Sequence, residues 1–252
     1  LGTNKGTVTL IKGEIQESVT VANGQNVTLD TAGKTLTSDG TTITNNGTLI
    51  IQGEGIINSE NLAIRNSSNL TIEKSTIKSN KGGLYNAGKI TVNDSTIETK
   101  GLGIQNFEDF VFNSGSLVSE GQYTISNSKN ITISGGTIEN NYTGSKDNYT
   151  IISHNRDKTN GTYECITNVN ITGGLIKKTK KGSFAITTSN AYTNGIITVS
   201  GGIIESISNL KGNTNVSGGT ISSIRTITGN INITGGTIKK GISVTDAGTL
   251  TM

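Results

Sequence analysis

The chain has no proline and no tryptophan, and it has only one cysteine, one histidine and one methionine in 252 residues. A single cysteine excludes an internal disulfide. The lack of proline suits a fold of paired strands, because proline would remove a hydrogen bond from a strand ladder. No apolar run is long enough to span a membrane, so we expect no membrane insertion within this segment.

Charged residues are also scarce, at 15%, and the net charge is only +3. This charge is too weak and too dispersed to predict a nucleic-acid partner. Calcium would need several converging oxygen ligands, and neither a D-x-D cluster nor a G-G-x-G-x-D repeat occurs. We therefore predict no metal and no cofactor.

Glycine is abundant, with 34 residues, and much of it belongs to a repeated nonapeptide, apolar-x-apolar-(Ser or Thr)-Gly-Gly-x-Ile-x. The copies lie at Ile131–Glu139, around Ile171–Lys178, and at Ile197–Glu205, Thr214–Ser222 and Ile231–Lys239. Degenerate copies precede them at Leu70–Lys78, Ile90–Glu98 and Phe110–Val118. The Gly-Gly pair suits a bend with positive φ. A unit of this size cannot bury its apolar face alone, so neighbouring copies must stack.

The period of the repeat follows from the apolar residue that closes each unit. These residues are Leu36, Ile56, Ile77, Ile97, Leu117, Ile138, Ile176, Ile204, Ile221 and Ile238. Their successive spacings are 20, 21, 20, 20, 21, 38, 28, 17 and 17 residues. A period of about 20 residues fits a leucine-rich repeat or a parallel β-helix, and the leucine-rich signature is absent. Period-2 alternation in short runs rich in Ile, Val and Thr predicts strands.

Each coil carries a second signal, an apolar residue followed by one spacer and an asparagine. Buried amides stacked from coil to coil can hydrogen-bond to one another, and asparagine tolerates a tight bend. We predict a structural asparagine ladder formed by Asn45, Asn66, Asn86, Asn106, Asn127 and Asn209, with Asn155 and Asn190 as looser members. A row of glycan-binding amides is the alternative interpretation.

The two long spacings predict inserted longer turns at 140–164 and 177–195, and insertions in a solenoid often map to its binding face. Aromatic rings beside polar groups suit the apolar faces and hydroxyls of sugars, although ordinary long turns would look the same. The predicted ligand-binding candidates are Tyr142, Tyr149, Tyr163 and Tyr192.

Catalytic residues are not predicted. If the chain is an enzyme, they would be His154, Arg156 and Asp157, which bring a base, a cation and an acid together in sequence. Acid–base chemistry requires a positioned pair in a cleft, however. No two carboxylates lie at matched positions of neighbouring coils, as the paired acids of a glycosidase would.

The repeat and the asparagine turns resemble the right-handed parallel β-helix, or pectin-lyase-like, superfamily. The stretches Val8–Ile11, Ser18–Val21, Asn26–Asp30 and Gly33–Leu36 are similar to the opening of adhesin-like β-helix proteins of bacterial cell surfaces. Together with the period, this predicts an all-β, single-stranded right-handed parallel β-helix (solenoid) of about ten coils, ~20 residues each. The hydrolase motifs N-T-D, D-D, G-H-G and R-I-K are missing, and the calcium-binding aspartates of the lyases are not recognisable.

We expect a single domain over 1–252, with N-terminal coils or a cap at 1–40, and a fragment of a larger protein. The predicted function is a non-catalytic extracellular or bacterial cell-surface segment, adhesin-like or a stalk, with a polysaccharide or host-surface glycan as partner. The alternatives are a polysaccharide lyase or glycoside hydrolase of the pectin-lyase-like fold and a phage tailspike segment, which would be trimeric. Ice binding is disfavoured because Thr-x-Thr pairs do not recur coil after coil. The oligomeric state stays open.

Overall fold

Each coil of the chain consists of short strands, and successive coils stack in parallel. The computed structural model describes residues 5–154, 166–178, 184–188 and 194–252. In these residues the chain forms 32 strands and no helix, so none of them belongs to a helix that could cross a membrane. The strands build a parallel β-solenoid of about 11 turns with ~21 residues per turn. The predicted all-β solenoid is therefore confirmed.

Face 1 is a twelve-stranded parallel sheet formed by the first strand of each coil. Its strands are β1 (Lys5–Thr9), β4 (Asn26–Asp30), β7 (Thr48–Gln52), β10 (Asn69–Glu73), β13 (Lys89–Asn93), β16 (Asp109–Phe112), β19 (Asn130–Ile133), β22 (Ile166–Ile171), β25 (Asn194–Val199), β28 (Gly212–Val216), β30 (Asn230–Ile233) and β32 (Thr249–Thr251). Face 1 therefore runs from the first described strand to the last.

Face 2 is formed by the second strand of each coil. Its strands are β2 (Glu14–Gln16), β5 (Thr35–Ser38), β8 (Ile56–Ser59), β11 (Thr76–Ser79), β14 (Ser95–Thr99), β17 (Gly115–Ser119), β20 (Thr137–Asn140), β23 (Leu175–Lys178) and β26 (Ile203–Ile204). The closing isoleucines and leucines of the repeat point inward from this face.

Face 3 is formed by the third strand of each coil. Its strands are β3 (Val19–Val21), β6 (Ile43–Asn45), β9 (Leu62–Asn66), β12 (Gly82–Asn86), β15 (Leu102–Asn106), β18 (Tyr123–Asn127), β21 (Tyr149–Ser153), β24 (Ile186–Thr188) and β27 (Ile207–Asn209). At the C-terminal end, β29 (Thr220–Thr226) and β31 (Thr237–Val244) each continue both face 2 and face 3. The shorter 17-residue coils thus have one long strand in place of two.

The register of face 2 corrects one residue of the predicted series. Leu36 pairs with Ile57, and Ile57 pairs with Ile77. Ile57 is fully buried and Ile56 is only half-buried. Ile57 therefore closes this coil, and the prediction of Ile56 was wrong because two adjacent isoleucines compete for the inward position. The other closing residues pair with one another as predicted.

The core is a set of aliphatic rows that run along the axis of the solenoid. Residues i and i+2 of a strand share a face, so the apolar pairs of face 1 from Val27/Leu29 to Ile197/Val199 each contribute two buried side chains, and in the last pair Ile231 is buried and Ile233 half-buried. Phe110 and Phe112 form one aromatic layer, with ring centroids 6.3 Å apart, and both are at most 1% exposed. Because each coil has so few core residues, its stability depends on the coils on either side.

The Gly-Gly turns place their second glycine in the left-handed region, as the motif predicts. At Gly202 the backbone φ is +81°, and an added Cβ would lie 2.8 Å from the backbone of Gly173 in the preceding coil. Any other residue would therefore be strained there and would also collide with the stacked turn. Both the left-handed backbone of the turn and the close stacking of the coils therefore require glycine at this position.

The 38-residue spacing contains one ordinary strand of face 3. β21 pairs with β18 in the preceding coil and with β24 in the next. A loop at 141–148 leads into this strand, and residues 155–165 beyond it lie outside the described residues. Residues 179–183 and 189–193 of the second predicted insertion, 177–195, also lie outside the described residues. The described part of the predicted insertion at 140–164 thus consists of a loop followed by a regular strand of face 3.

Candidate functional site

The aromatic side chains are distributed unevenly over the solenoid. The chain has six tyrosines and four phenylalanines, and eight of these ten rings belong to described residues, the exceptions being Tyr163 and Tyr192. Phe110 and Phe112 lie in the core, and Tyr142 lies in the 141–148 loop. The other five lie on face 3 or at its edge: Tyr85, Phe107, Tyr123, Tyr149 and Phe184. Face 3 is therefore the aromatic face.

A cleft of about 520 Å³ opens on this face over the coils of β18 to β29. Its lining includes Gln122, Tyr123, Asp147, Tyr149, Phe184 and Arg225. Ligand sites are commonly concave, with apolar and aromatic walls and a few placed polar groups. The lining of this cleft is more polar than apolar and includes three aromatic rings, so we name it the aromatic cleft.

The wall of the aromatic cleft is a row of rings parallel to the solenoid axis. Tyr123 pairs in register with Tyr149, and their rings lie 6.0 Å apart with an angle of 15° between their planes. Phe184 precedes Ile186 by two residues, as Tyr149 precedes Ile151, and these two isoleucines pair. The three aromatic residues therefore occupy the same position in three successive coils, where neighbouring strands lie about 4.8 Å apart.

Arg225 supplies a positive charge at one end of the cleft. Its guanidinium carbon lies 4.7 Å from the centroid of the Phe184 ring, a distance typical of a cation–π contact. One terminal nitrogen donates to Ser208 Oγ at 3.2 Å, and the buried Nε–H has no partner among the described residues. A buried donor without an acceptor is costly. The Arg225 side chain as a whole is half-buried, so its positive charge is still available to a ligand at this end of the cleft.

The opposite end of the cleft is formed by Gln122 and Asp147. Gln122 Nε2 donates to the backbone carbonyl of Asp147 at 2.8 Å. Burial raises the pKa of the Tyr149 phenol above its ordinary value of 10.0, the negative charge of Asp147 and the neighbouring Tyr123 act in the same direction, and Arg225 opposes them. The Tyr149 hydroxyl is therefore protonated at neutral pH, when it can both donate and accept a hydrogen bond.

The loop that carries Asp147 is held by two buried asparagines. Asn148 Nδ2 donates to Asn140 Oδ1 at 2.5 Å, and Asn140 Nδ2 donates to the carbonyl of Gly121 at 2.9 Å. Both asparagine side chains are fully buried. The loop is thus fixed to the solenoid wall at its base.

His154 lies just after β21 and is not among the described residues that line the aromatic cleft. Its Nε2 is 2.5 Å from Ser126 Oγ, and its backbone N–H donates to the carbonyl of Asn127 at 2.9 Å. Ser126 is 2% exposed, so its hydroxyl is not accessible to a ligand. The other two residues of the enzyme hypothesis, Arg156 and Asp157, lie outside the described residues. Among the described lining of the cleft, Asp147 is the single carboxylate.

Of the predicted ligand-binding tyrosines, the structure places Tyr149 in the aromatic cleft. Tyr142 lies in the preceding loop, where its backbone N–H donates to Asn140 Oδ1 at 3.3 Å, and it is not among the described residues of the cleft lining. Tyr163 and Tyr192 lie outside the described residues. Sequence reasoning missed Tyr123, although it precedes Ile125 by two residues as Tyr149 precedes Ile151.

Behind face 3, the last residues of the strands form a hydrogen-bonded row of amides. The Nδ2 of each asparagine donates to the Oδ1 of the next at 2.7–2.9 Å, and all are fully buried: Asn45, Asn66, Asn86, Asn106 and Asn127. In the next two coils Ser153 and Thr188 hold this position, not Asn155 and Asn190. Thr188 Oγ1 then donates to Asn209 Oδ1 at 3.2 Å. This row anchors the inner side of the aromatic face.

No group of three or more His, Cys, Asp or Glu side chains suited to a metal occurs in the described parts of the chain. Comparison with models of known protein families, with curated proteins and with solved structures found no significant match. A solenoid fold alone does not define a function. The function must therefore be argued from the aromatic cleft.

Proposed function

We propose that this chain is a non-catalytic extracellular or bacterial cell-surface β-solenoid segment, adhesin-like or a stalk, that binds glycans in the aromatic cleft. The observation that carries the proposal is the row of Tyr123, Tyr149 and Phe184 along one cleft. Such a row offers flat surfaces for the C–H faces of sugar rings. The polar groups at both ends offer partners for sugar hydroxyls.

The location outside the cell rests on the resemblance of the N-terminal stretches between Val8 and Leu36 to the opening of adhesin-like β-helix proteins of bacterial cell surfaces. The rigidity of face 3 supports a binding role. Tyr123, Tyr149 and Arg225 stand on paired strands, and the Arg225 side chain is held by Phe184 and Ser208. A site that is ordered before binding loses little conformational freedom when the ligand arrives.

The test is retention on a panel of soluble polysaccharides: xylan, β-glucan, polygalacturonate and hyaluronan. Affinity electrophoresis measures retention, and chromatography of the polymers measures cleavage. We expect retention of at least one polymer without cleavage, and roughly tenfold weaker binding, about 1.4 kcal/mol, in Tyr123→Ala and Tyr149→Ala. Tyr142→Ala, which changes a tyrosine outside the described cleft lining, is the matched control. Retention of no polymer, or equal retention of all variants, would overturn the proposal.

The second candidate is a polysaccharide lyase or glycoside hydrolase that uses the same cleft. The Asp147 carboxylate in the cleft lining favours it, whereas His154 is not among the described lining residues and is hydrogen-bonded to Ser126. The bond from Nε2 to buried Ser126 disfavours it, because a general base must reach the substrate. Cleavage that disappears in His154→Ala or Asp157→Ala would favour the enzyme. A trimer in sedimentation would favour the tailspike alternative.

A further inference from the structure

A second cluster of aromatic rings and an arginine lies on face 3, towards the N-terminal end. Tyr85 and Phe107 have ring centroids 5.2 Å apart. The guanidinium carbon of Arg65 lies 4.4 Å from the centroid of the Tyr85 ring, and the two residues pair in register. The aromatic cleft uses none of these three side chains.

Next to this cluster is a gap in the row of outward side chains. Gly82 pairs with Leu62 in the preceding coil and with Leu102 in the next. Both leucines are half-buried, and the glycine between them has no side chain. A cleft of about 340 Å³ results, and Arg65 and Tyr85 also line it. We name it the glycine cleft.

The two clefts belong to one column of the solenoid. Leu102 precedes Ile104 by two residues, as Tyr123 precedes Ile125, and these two isoleucines pair. The same outward position is therefore occupied, coil after coil, by Leu62, Gly82, Leu102, Tyr123, Tyr149 and Phe184. Five steps between strands give this column a length of about 24 Å.

We propose that the glycine cleft is a second glycan subsite, and that one polysaccharide chain runs along the column through both clefts. This inference rests on the proposed glycan binding. Tyr85 and Tyr149 are three strands apart, about 14 Å along the axis, which one sugar ring cannot span. An extended chain can occupy both clefts, with sugar rings against Tyr85 and in the gap that Gly82 leaves.

Two linked subsites predict a dependence on chain length. Once one part of a polymer is bound, the second part binds at a high effective concentration, so long chains gain affinity without new contacts. A trisaccharide can fill the aromatic cleft alone. Its affinity is therefore independent of the glycine cleft.

The glycine cleft can be tested by filling it with a new side chain at Gly82 rather than by truncating a residue that lines it. At Gly82 an added Cβ would be 3.4 Å from Leu62 Cδ1, which is ordinary contact, and the backbone is not in the left-handed region. Gly82→Leu therefore keeps the fold and continues the row of leucines. Gly40→Leu is the matched control, because Gly40 lies in an exposed turn with nothing within 4 Å of its Cβ position. Tyr85→Ala is a second variant, and thermal melts confirm that each variant is folded.

The probe is the polysaccharide of the panel that the chain retains, both intact and as its trisaccharide. Gly82→Leu and Tyr85→Ala are expected to weaken binding of the intact polymer roughly tenfold and to leave trisaccharide binding unchanged. Tyr149→Ala weakens both. Equal binding of the intact polymer by wild type, Gly82→Leu and Tyr85→Ala, with loss in Tyr149→Ala, overturns the second subsite alone. Retention of no polymer overturns the proposed function and this subsite together.

Discussion

Asn86 Nδ2 donates to Asn106 Oδ1 at 2.7 Å, and both side chains are fully buried. The same Nδ2 of Asn86 also donates to the carbonyl of Asp109 at 2.9 Å. Because identical amides repeat at each strand end, the donor of one always faces the acceptor of the next. Each amide also bonds to the backbone, so removing Asn86 takes one side-chain hydrogen bond from each neighbouring asparagine and also leaves the Asp109 carbonyl and the Gly88 N–H without their amide partner.

Asn86→Ala and Asn106→Ala are each expected to lower the free energy of unfolding by about 1–3 kcal/mol, because each leaves buried polar groups unpaired. Urea titration or thermal melting measures this change. Asn80→Ala, at an exposed position in the bend after β11, is the control and is expected to change stability by less than about 0.5 kcal/mol. Melts that are unchanged in both ladder variants would show that the row contributes nothing to stability.

Substitution of three glycines by alanine can distinguish the cost of backbone strain from the cost of collision with the neighbouring coil. Gly24 has φ +79° and open space around its Cβ position, and Gly202 has φ +81° with backbone atoms 2.8 Å away. Gly24→Ala is expected to cost about 1–2 kcal/mol of stability from left-handed strain alone, and Gly202→Ala is expected to cost more. Gly40→Ala, which meets neither obstacle, is the neutral reference. Equal melting temperatures for Gly24→Ala and Gly202→Ala would argue against the stacking of the Gly-Gly turns.

The aromatic layer of the core is expected to be sensitive to truncation. Phe110→Ala would leave a large cavity in a thin core and should cost about 3–5 kcal/mol. Phe107→Ala removes the same side chain at a half-buried surface position and should cost less than half as much. Chemical denaturation of the two variants compares them directly. A loss for Phe110→Ala no larger than that for Phe107→Ala would contradict the assigned core.

The raised pKa of Tyr149 predicts an alkaline loss of stability. Below pH 10.0 the phenol is protonated in both folded and unfolded chains, so its contribution is constant. Above that pH the unfolded chain releases the proton first, so the free energy of unfolding falls as pH rises towards the folded pKa. The difference in phenolate absorbance between wild type and Tyr149→Phe should titrate with a midpoint above pH 10.0. A difference spectrum that titrates below 10.0 would refute the assigned burial.

The repeat allowed most of the fold to be predicted because one coil constrains the next. Once Ile77 and Ile97 are assigned inward positions, the residues around them follow at a fixed spacing. The error at Ile56 arose where two isoleucines are adjacent. Alternation along a strand requires one of them to point inward, but the sequence does not say which one.

The candidate site was less predictable. Tyr149 attracted notice because it lies near an insertion, whereas Tyr123 lies in a regular coil and looked like an ordinary repeat residue. Arg225 reaches back across Ser208 to the ring of Phe184, two coils away. A contact of this kind depends on the direction of a long side chain, which sequence spacing does not specify.

Because the strands of successive coils pair in register, the solenoid can be shortened by removing a whole coil. Asn69 pairs with Lys89, so excision of residues 69–88 would join two coils with every remaining strand still in register. Asn66 would then face Asn106, and Leu62 would meet Leu102 where Gly82 had separated them. The solenoid can therefore lengthen or shorten in steps of one strand spacing, about 4.8 Å, without a change to its cross-section.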